Sequence, residues 1–161
     1  MVIGVGTDLV EIQRMEKACQ KESFLAYTFT DQERRQAKES ISSLAGDFAV
    51  KESVAKALGT GFRGFGPKDI EALRDELGKP YVKLYGGAAK RAKALGIGDI
   101  QVSITNTREY AAAFVVAQTE GKTEAAIAEE AASLAEERSG HAVFADGETG
   151  EGNGPVYHGA D

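Results

Sequence analysis

The sequence predicts an α+β fold, because it begins with a strand, continues through several helices and then returns to strands. The first residues alternate apolar with small or polar side chains, as in a half-buried strand. Apolar residues at helical spacing then fill residues 42–58. Two later runs, residues 100–105 and 110–117, are rich in apolar and β-branched residues and indicate strands. This order argues against a sheet in which parallel strands alternate with helices.

The N-terminal strand carries one acidic residue, Asp8, at a position where it could contact a ligand. In "VIGVGTDLV", Ile3, Val5 and Leu9 lie on one side of the strand, and Asp8 lies near its end on the other side, after two glycines. Those glycines would let a ligand approach the backbone closely. A short helix is expected next, because apolar residues return at helical spacing: Ile12, Met15, Ala18 and Cys19.

The middle of the chain is predicted to hold two more helices. Thr30 and Glu33 have the spacing of a capping box, which starts a helix near residue 31. The long helix begins near Ser42 or Ser43 and ends at Gly59, a typical terminator. Its core-facing side is expected to carry the apolar residues Val50, Val54, Ala57 and Leu58.

The remaining elements are shorter. A glycine-rich loop ends at Pro67, and residues 69–86 read as a β-hairpin that turns at "ELGKP". A short helix follows and stops at Gly96. The last two strands are joined by a turn at Asn106 and Thr107.

Length and composition describe one domain in a reducing compartment. The chain has 161 residues, enough for one hydrophobic core. It shows neither a run long enough to span a membrane nor the pattern of a signal peptide, so we expect a cytoplasmic protein without a membrane partner. Cys19 is the one cysteine, which excludes an internal disulfide and a cysteine-rich zinc site. A packing role is expected for it.

The net charge of −6 comes from the C-terminal tail. Residues 1–120 carry 17 basic and 16 acidic side chains, whereas residues 121–161 carry 2 and 9. A near-neutral body is not typical of a DNA-binding domain, which needs a basic face to neutralise several phosphates, and local basic clusters are compatible with it. We therefore predict a domain at residues 1–119 and an acidic, Ala/Glu- and Gly-rich extension at residues 120–161, partly helical or disordered.

Glu52 and Lys56 are the candidate chemical groups of the long helix. They lie one turn apart, so an ordinary surface ion pair, which would stabilise the helix by about 0.2–0.5 kcal/mol, is the simplest explanation. A functional site needs a third group, and Asp8 supplies it if the fold brings strand and helix together. Two carboxylates from separate elements suit Mg²⁺, which shares its remaining positions with water and phosphate oxygens. A lysine nearby would neutralise a phosphate oxygen.

Two other patterns limit the chemistry. Gly59, Gly61 and Gly64 match G-x-G-x-x-G, but they close a helix instead of opening one, so the dinucleotide-binding interpretation is rejected. The loop is either a flexible linker or a backbone cradle for a phosphate. His141 and His158 both lie in the tail, so catalysis in the body is expected to use carboxylates, amines, hydroxyls and a metal.

Four segments in the correct order carry a resemblance to a known family. "GVGTDLVEI", "FAVKESVAKALGTG", "DELGKP" and "SITNTREYAAAFVV" closely resemble holo-[acyl-carrier-protein] synthase, a small 4′-phosphopantetheinyl transferase. The match runs from about residue 2 to residue 118. It implies that family's α+β fold, in which mostly antiparallel strands pack on a long central helix. It also implies transfer of 4′-phosphopantetheine from coenzyme A to a serine of apo acyl carrier protein, leaving adenosine 3′,5′-bisphosphate, in support of fatty acid biosynthesis.

The resemblance assigns roles to individual residues. It implies that Asp8 and Glu52 are the Mg²⁺ ligands, that Glu52 and Lys56 are catalytic, and that Lys56 contacts the coenzyme A phosphates. The implied nucleotide contacts are completed by a turn and by the last hairpin: Gly59, Thr60, Gly61, Asn106 and Thr107. Either Glu52 or a metal-bound water removes the serine proton; water is favoured, because a carboxylate bound to Mg²⁺ is a poor base.

The resemblance also implies partners. The family forms a homotrimer with active sites at the subunit boundaries, and its first helix receives the acidic carrier protein. The implied carrier-binding residues here are Arg14, Lys17, Lys21 and Phe24. Asn106 departs from the family, since many members have histidine there, and an amide cannot become cationic. Two alternatives remain: a coenzyme A-binding module without catalysis, and a Mg²⁺-dependent pyrophosphate hydrolase.

Overall fold

The protein was analysed as a computed structural model that describes residues 1–121 and residue 132. Met1–Gly121 forms one compact unit. The strands are β1 (Val2–Glu11), β2 (Ile70–Arg74), β3 (Pro80–Leu84), β4 (Asp99–Asn106) and β5 (Tyr110–Gln118). The helices are α1 (Ile12–Cys19), α2 (Glu22–Thr28), α3 (Asp31–Ala37), α4 (Ile41–Ala57) and α5 (Gly86–Ala94). The predicted α+β class is confirmed, whereas the predicted tail helix lies outside the described residues and the division at residue 119 stays a prediction.

Helix α4 is the centre of the fold. Its first turn is capped by Ser40, whose hydroxyl accepts a hydrogen bond from the Ser43 amide at 3.2 Å. It ends where Gly59 adopts a φ of 79°, a conformation that few other residues accept. Almost every side of α4 is buried, including the predicted core residues Val50 and Val54. The helix is therefore enclosed by other elements and does not lie on the surface as a simple amphipathic helix would.

The main sheet has the order β1-β5-β4, and all its neighbours are antiparallel. Strand β1 packs closely on α4 because Gly4 and Gly6 lack side chains. A Cβ atom at either position would overlap a backbone carbonyl of α4, that of Ala57 or that of Ser53. The expectation that these glycines admit a ligand is wrong, because the helix backbone occupies that space.

The second sheet is the predicted hairpin of β2 and β3, paired from Ile70↔Leu84 to Arg74↔Pro80. Its turn is fixed by Asp75, whose carboxylate accepts hydrogen bonds at 2.9 Å from the amides of Leu77 and Lys79. The predicted capping box of α3 is also present. Helix α2 was not predicted, and it lacks a side-chain cap that would have indicated it.

The outer sheet face is apolar and exposed. We define it as the side of β1 and β5 that points away from α4, and it includes Val5, Leu9 and Phe114, which are 57%, 64% and 49% exposed. Isolated exposed apolar residues are ordinary, but a contiguous group marks a surface that another molecule covers. Among the described residues, no helix is long and apolar enough to cross a membrane.

Candidate active site

Asp8 and Glu52 line the same cleft, which has a volume of about 410 Å³. Asp8 comes from β1, where the alternation that buries Gly6 and Val10 turns Asp8 toward α4 as well. Glu52 is partly exposed on α4, most of whose residues are buried. The fold therefore brings together the strand and the helix that the sequence analysis required for a two-carboxylate site.

Lys56 completes this group. Its sequence position suggests an ion pair with Glu52, but its partner in the structure is Asp8. Its ammonium lies 3.0 Å from a carboxylate oxygen of Asp8 and donates a hydrogen bond of 2.7 Å to the carbonyl of Thr7. The ion pair thus joins helix and strand, and it is not the local pair with Glu52. The Lys56 side chain is 51% exposed, so its ammonium remains accessible to a ligand bound beside Asp8.

The positive charge of Lys56 does not fully compensate the negative charges of Asp8 and Glu52. Partial burial raises the pKa of Glu52 above its ordinary value, the nearby negative charge of Asp8 raises it further, and Lys56 opposes both effects. A divalent cation would relieve this repulsion. The described residues contain no group of three or more histidine, cysteine or acidic side chains that could hold a metal. Two carboxylates without nitrogen or sulfur ligands fit Mg²⁺, which retains positions for substrate oxygens and water.

The predicted nucleotide turn lies at the C-terminal end of α4. Gly59 and Gly61 both have positive φ, and the Gly61 amide donates a 3.2 Å hydrogen bond to Ala55. Arg91 of α5 fixes the same turn, because its Nε donates to the carbonyl of Leu58 at 3.1 Å. Thr60 donates to the neighbouring Gly61 carbonyl. The glycines thus form an ordered turn beside Lys56, and no local pattern in the sequence indicates the contribution of Arg91.

Asn106 and Thr107 lie at the opposite end of α4. The Asn106 amide donates hydrogen bonds of 3.0 and 2.8 Å to the carbonyl and hydroxyl of Ser42. Ser42 and Gly59 are separated by the length of the helix, roughly 25 Å at 1.5 Å per residue. The two halves of the predicted nucleotide-binding set are therefore not brought together within one chain.

Two of the four predicted carrier-binding residues line the cleft. Arg14 and Phe24 line the cleft. Phe24 also packs against Phe48, with ring centroids 6.3 Å apart. Lys17 and Lys21 are exposed but do not line the cleft.

Two buried charged pairs were missed by the sequence analysis. Lys51 and Glu33 are fully buried and 2.8 Å apart, and Arg74 binds the buried carboxylate of Asp47. Lys51 also donates to the carbonyls of Pro67 and Ile70. In the sequence these residues look like ordinary surface charges, and only the enclosure of α4 makes them interior.

Comparison with known proteins identifies the family. The family model of the 4′-phosphopantetheinyl transferase superfamily matches residues 4–115. The holo-[acyl-carrier-protein] synthase of Lachnoclostridium phytofermentans is 49% identical over 118 residues, covering 73% of this chain and 97% of that protein. The chain belongs to the 4′-phosphopantetheinyl transferase superfamily. The resemblance seen in the sequence is thereby confirmed.

Solved transferase structures agree with this assignment. The holo-[acyl-carrier-protein] synthase of Neisseria meningitidis superposes with a TM-score of 0.68 at 33% identity, over 74% of this chain and all of its own. That of Helicobacter pylori, solved in complex with coenzyme A, gives 0.65 at 30% identity, over 71% and 99%. The predicted transferase fold is therefore confirmed.

Proposed function

We propose that this transferase moves 4′-phosphopantetheine from coenzyme A to a serine of apo acyl carrier protein, with Mg²⁺, and so supports fatty acid biosynthesis. The observation that carries the proposal is the cleft that Asp8 and Glu52 both line, with Lys56 paired to Asp8. The names of the related synthases and the coenzyme A complex of the Helicobacter pylori protein support the same substrates.

The described side chains would catalyse transfer by positioning the substrate and by stabilising its charge. Asp8 and Glu52 would hold Mg²⁺, which supplies neutralisation of the charge on the pyrophosphate when bound. Lys56 would donate a hydrogen bond to a phosphate oxygen, because its side chain is half-exposed and its ammonium lies beside Asp8. Phosphoryl transfer is catalysed mainly in this way, so histidine is not required.

The carrier protein would approach over α1. Arg14 lies on the cleft wall and is exposed, and Lys17 and Lys21 are exposed basic residues in and just after the same helix. Positive charge beside the cleft would accelerate the encounter with an acidic carrier and make it sensitive to salt. Replacing Arg14 with Gln is expected to raise the KM for carrier at low salt and to change it little at high salt.

We also propose a homotrimer whose active sites lie between subunits. Two observations support it: the outer sheet face is apolar and exposed, and the predicted nucleotide-binding residues are split between the two ends of α4. Analytical ultracentrifugation is expected to give the mass of three chains. Phe114→Glu is expected to dissociate the trimer and to lose transfer, whereas a fully active monomer would contradict the proposal.

One assay separates the three candidate activities. The protein is incubated with coenzyme A, Mg²⁺ and apo carrier, and the carrier is weighed by mass spectrometry. A gain of phosphopantetheine that needs both Mg²⁺ and protein supports the transferase. Cleavage of coenzyme A without carrier would indicate a pyrophosphate hydrolase, and binding without any product would indicate a non-catalytic module.

A further inference from the structure

Helix α5 holds the glycine-rich loop that follows α4 near both of its ends. We call residues 59–66 the glycine loop. Two residues of α5, Gly87 and Arg91, lie one helical turn apart and therefore on the same face of the helix. Arg91 Nε donates a 3.1 Å hydrogen bond to the carbonyl of Leu58, immediately before the loop. Gly87 contacts the backbone of Gly64 near the other end of the loop.

The contact at Gly87 depends on the absence of a side chain. A Cβ atom at position 87 would overlap the carbonyl oxygen of Gly64 and would lie 2.9 Å from Cβ of Phe65. The loop also packs on itself, because the rings of Phe62 and Phe65 meet edge to face with centroids 5.9 Å apart. The glycine loop is therefore an ordered segment that α5 fixes at two points.

The start of the glycine loop is bonded to the last turn of α4, which carries Lys56. The amide of Gly59 donates at 2.9 Å to the carbonyl of Lys56 itself, and the amide of Gly61 donates at 3.2 Å to the carbonyl of Ala55. The last carbonyls of a helix have no partner within it. Arg91 supplies one of these donors, and its positive charge faces the negative end of the α4 dipole.

The position of this helix end matters because it sets the position of the Lys56 ammonium. That ammonium donates to the Thr7 carbonyl at 2.7 Å and to an Asp8 carboxylate oxygen at 3.0 Å, although the Lys56 side chain is 51% exposed. A long exposed side chain has many rotamers, so both contacts require a fixed backbone. A displacement of about 1 Å at a reacting group lowers a rate by roughly 10².

We propose that Arg91 is a positioning residue for transfer, which fixes the end of α4 and so holds the Lys56 ammonium beside Asp8. This inference rests on the proposed function. Arg91 lies outside the cleft that Asp8 and Glu52 line, so it acts through Lys56 and not on the substrate. If Arg91 only stabilised the fold, its removal would lower stability and leave transfer by the folded protein unchanged.

Replacing Arg91 with Met removes its donors and keeps a long side chain. The single-turnover rate at saturating coenzyme A is expected to fall roughly tenfold, because the end of α4 is no longer fixed. Arg91→Lys should keep part of the rate, since an ammonium still donates to a carbonyl. Lys93→Met is the matched control, because it removes a positive charge from an exposed position in the same last turn of α5. It should transfer at the wild-type rate.

A double-mutant cycle shows whether Arg91 acts through Lys56. Arg91→Met is introduced into wild type and into Lys56→Ala, and urea denaturation checks that each protein is folded. The change should lower the rate roughly tenfold in wild type but less than about twofold in Lys56→Ala, because the group that Arg91 positions is already absent. Gly87→Ala, which disturbs the other attachment of the glycine loop, is taken through the same cycle. The test therefore does not depend on the folding of Arg91→Met.

Hydrogen exchange measures the loosening of the helix end without any assay of activity. The amides of Gly59 and Gly61 are expected to exchange faster in Arg91→Met than in wild type, because their acceptors belong to the turn that Arg91 fixes. Lys93→Met should exchange at the wild-type rate at both glycines.

The outcomes separate this inference from the proposed function. A folded Arg91→Met that transfers at the wild-type rate overturns the inference, and so does an equal loss of rate in wild type and in Lys56→Ala. Unchanged exchange at both glycines also overturns it. In each of these cases a wild type that modifies carrier leaves the proposed function intact. A wild type that modifies no carrier overturns the proposed function, and this inference with it.

Discussion

Lys51 and Glu52 are neighbours on α4, yet their charges lie in opposite surroundings. Lys51 is fully buried, and its ammonium binds Glu33 and two backbone carbonyls. Burial lowers the pKa of Lys51, and the carboxylate of Glu33 opposes that shift. Glu52 is half-buried, faces the like charge of Asp8 and has its pKa raised. A buried charge whose hydrogen bonds and ion pair are all satisfied by the protein has a structural role. A partly exposed charge without a compensating partner is available to a ligand.

The largest expected effect is on transfer when either cleft carboxylate is neutralised. Asp8→Asn and Glu52→Gln should each lower the rate by at least about 10³, because each would remove a proposed ligand of the charge-stabilising Mg²⁺. Steady-state transfer measures the loss, and circular dichroism checks that the fold is retained. Glu76→Gln, on the exposed hairpin turn, is the control. Near-normal transfer by either cleft variant would contradict the assigned role.

Lys51→Met removes the buried ammonium and tests its contribution to stability. This change leaves Glu33 as an unpaired buried carboxylate and is expected to lower the free energy of unfolding by about 3–5 kcal/mol. Urea denaturation measures it. Lys56→Met, which removes an ammonium that is 51% exposed, should change stability by no more than about 1 kcal/mol. Equal losses for the two variants would mean that burial does not distinguish these lysines.

Lys56→Ala tests whether the exposed ammonium contributes to transfer. Loss of one preorganised cation should lower the rate of transfer by roughly 10²–10³ without unfolding the protein. The single-turnover rate at saturating coenzyme A is the measurement, because it reports the chemical step. Transfer at the wild-type rate would show that the Lys56 ammonium serves only to bind Asp8.

Asp47 provides a pH test of the buried charges. Burial raises the pKa of Asp47 to about 6, although Arg74 opposes this, and Glu33 and Lys51 also face the group with opposite effects. The folded pKa lies above the ordinary value of 3.8, so the folded protein binds more protons, and stability falls as pH rises between about 4 and 6. The full difference corresponds to about 3 kcal/mol at most.

Comparison with Asp47→Asn isolates that contribution. Unfolding free energies of wild type and Asp47→Asn should diverge as pH rises from about 4 to about 6, with wild type losing stability relative to the variant, and should then run parallel. The same pH dependence in both proteins would show that Asp47 ionises normally in the folded state.

Much of the fold was predictable because its signals are local. The capping box of Thr30 and Glu33, the terminating glycine at position 59 and the alternation of β1 each act within a few residues. The location of α2 was missed, since a helix of 7 residues without a side-chain cap leaves no local signal. Gly4 and Gly6 were misread because the helix that fills the space above them is distant in sequence.

The site was predictable only in part for the same reason. The candidate carboxylates could be proposed from the sequence because Asp8 lies near the end of a predicted strand and Glu52 interrupts an apolar helix. The Lys56–Asp8 pair and the Asp47–Arg74 pair were not found, because they join residues 48 and 27 positions apart. Such pairings depend on how the helices and strands pack against one another, and this packing cannot be read from a single sequence.

The central claim is that Asp8 and Glu52 hold one divalent cation together, and direct metal binding tests it without relying on activity. Mn²⁺ replaces Mg²⁺ at oxygen-rich sites, and free Mn²⁺ is counted by electron paramagnetic resonance. In the presence of coenzyme A, wild-type protein is expected to bind Mn²⁺ saturably, and Asp8→Asn and Glu52→Gln are each expected to lose that binding while Glu76→Gln retains it. Wild-type affinity for Mn²⁺ in both cleft variants would contradict the account.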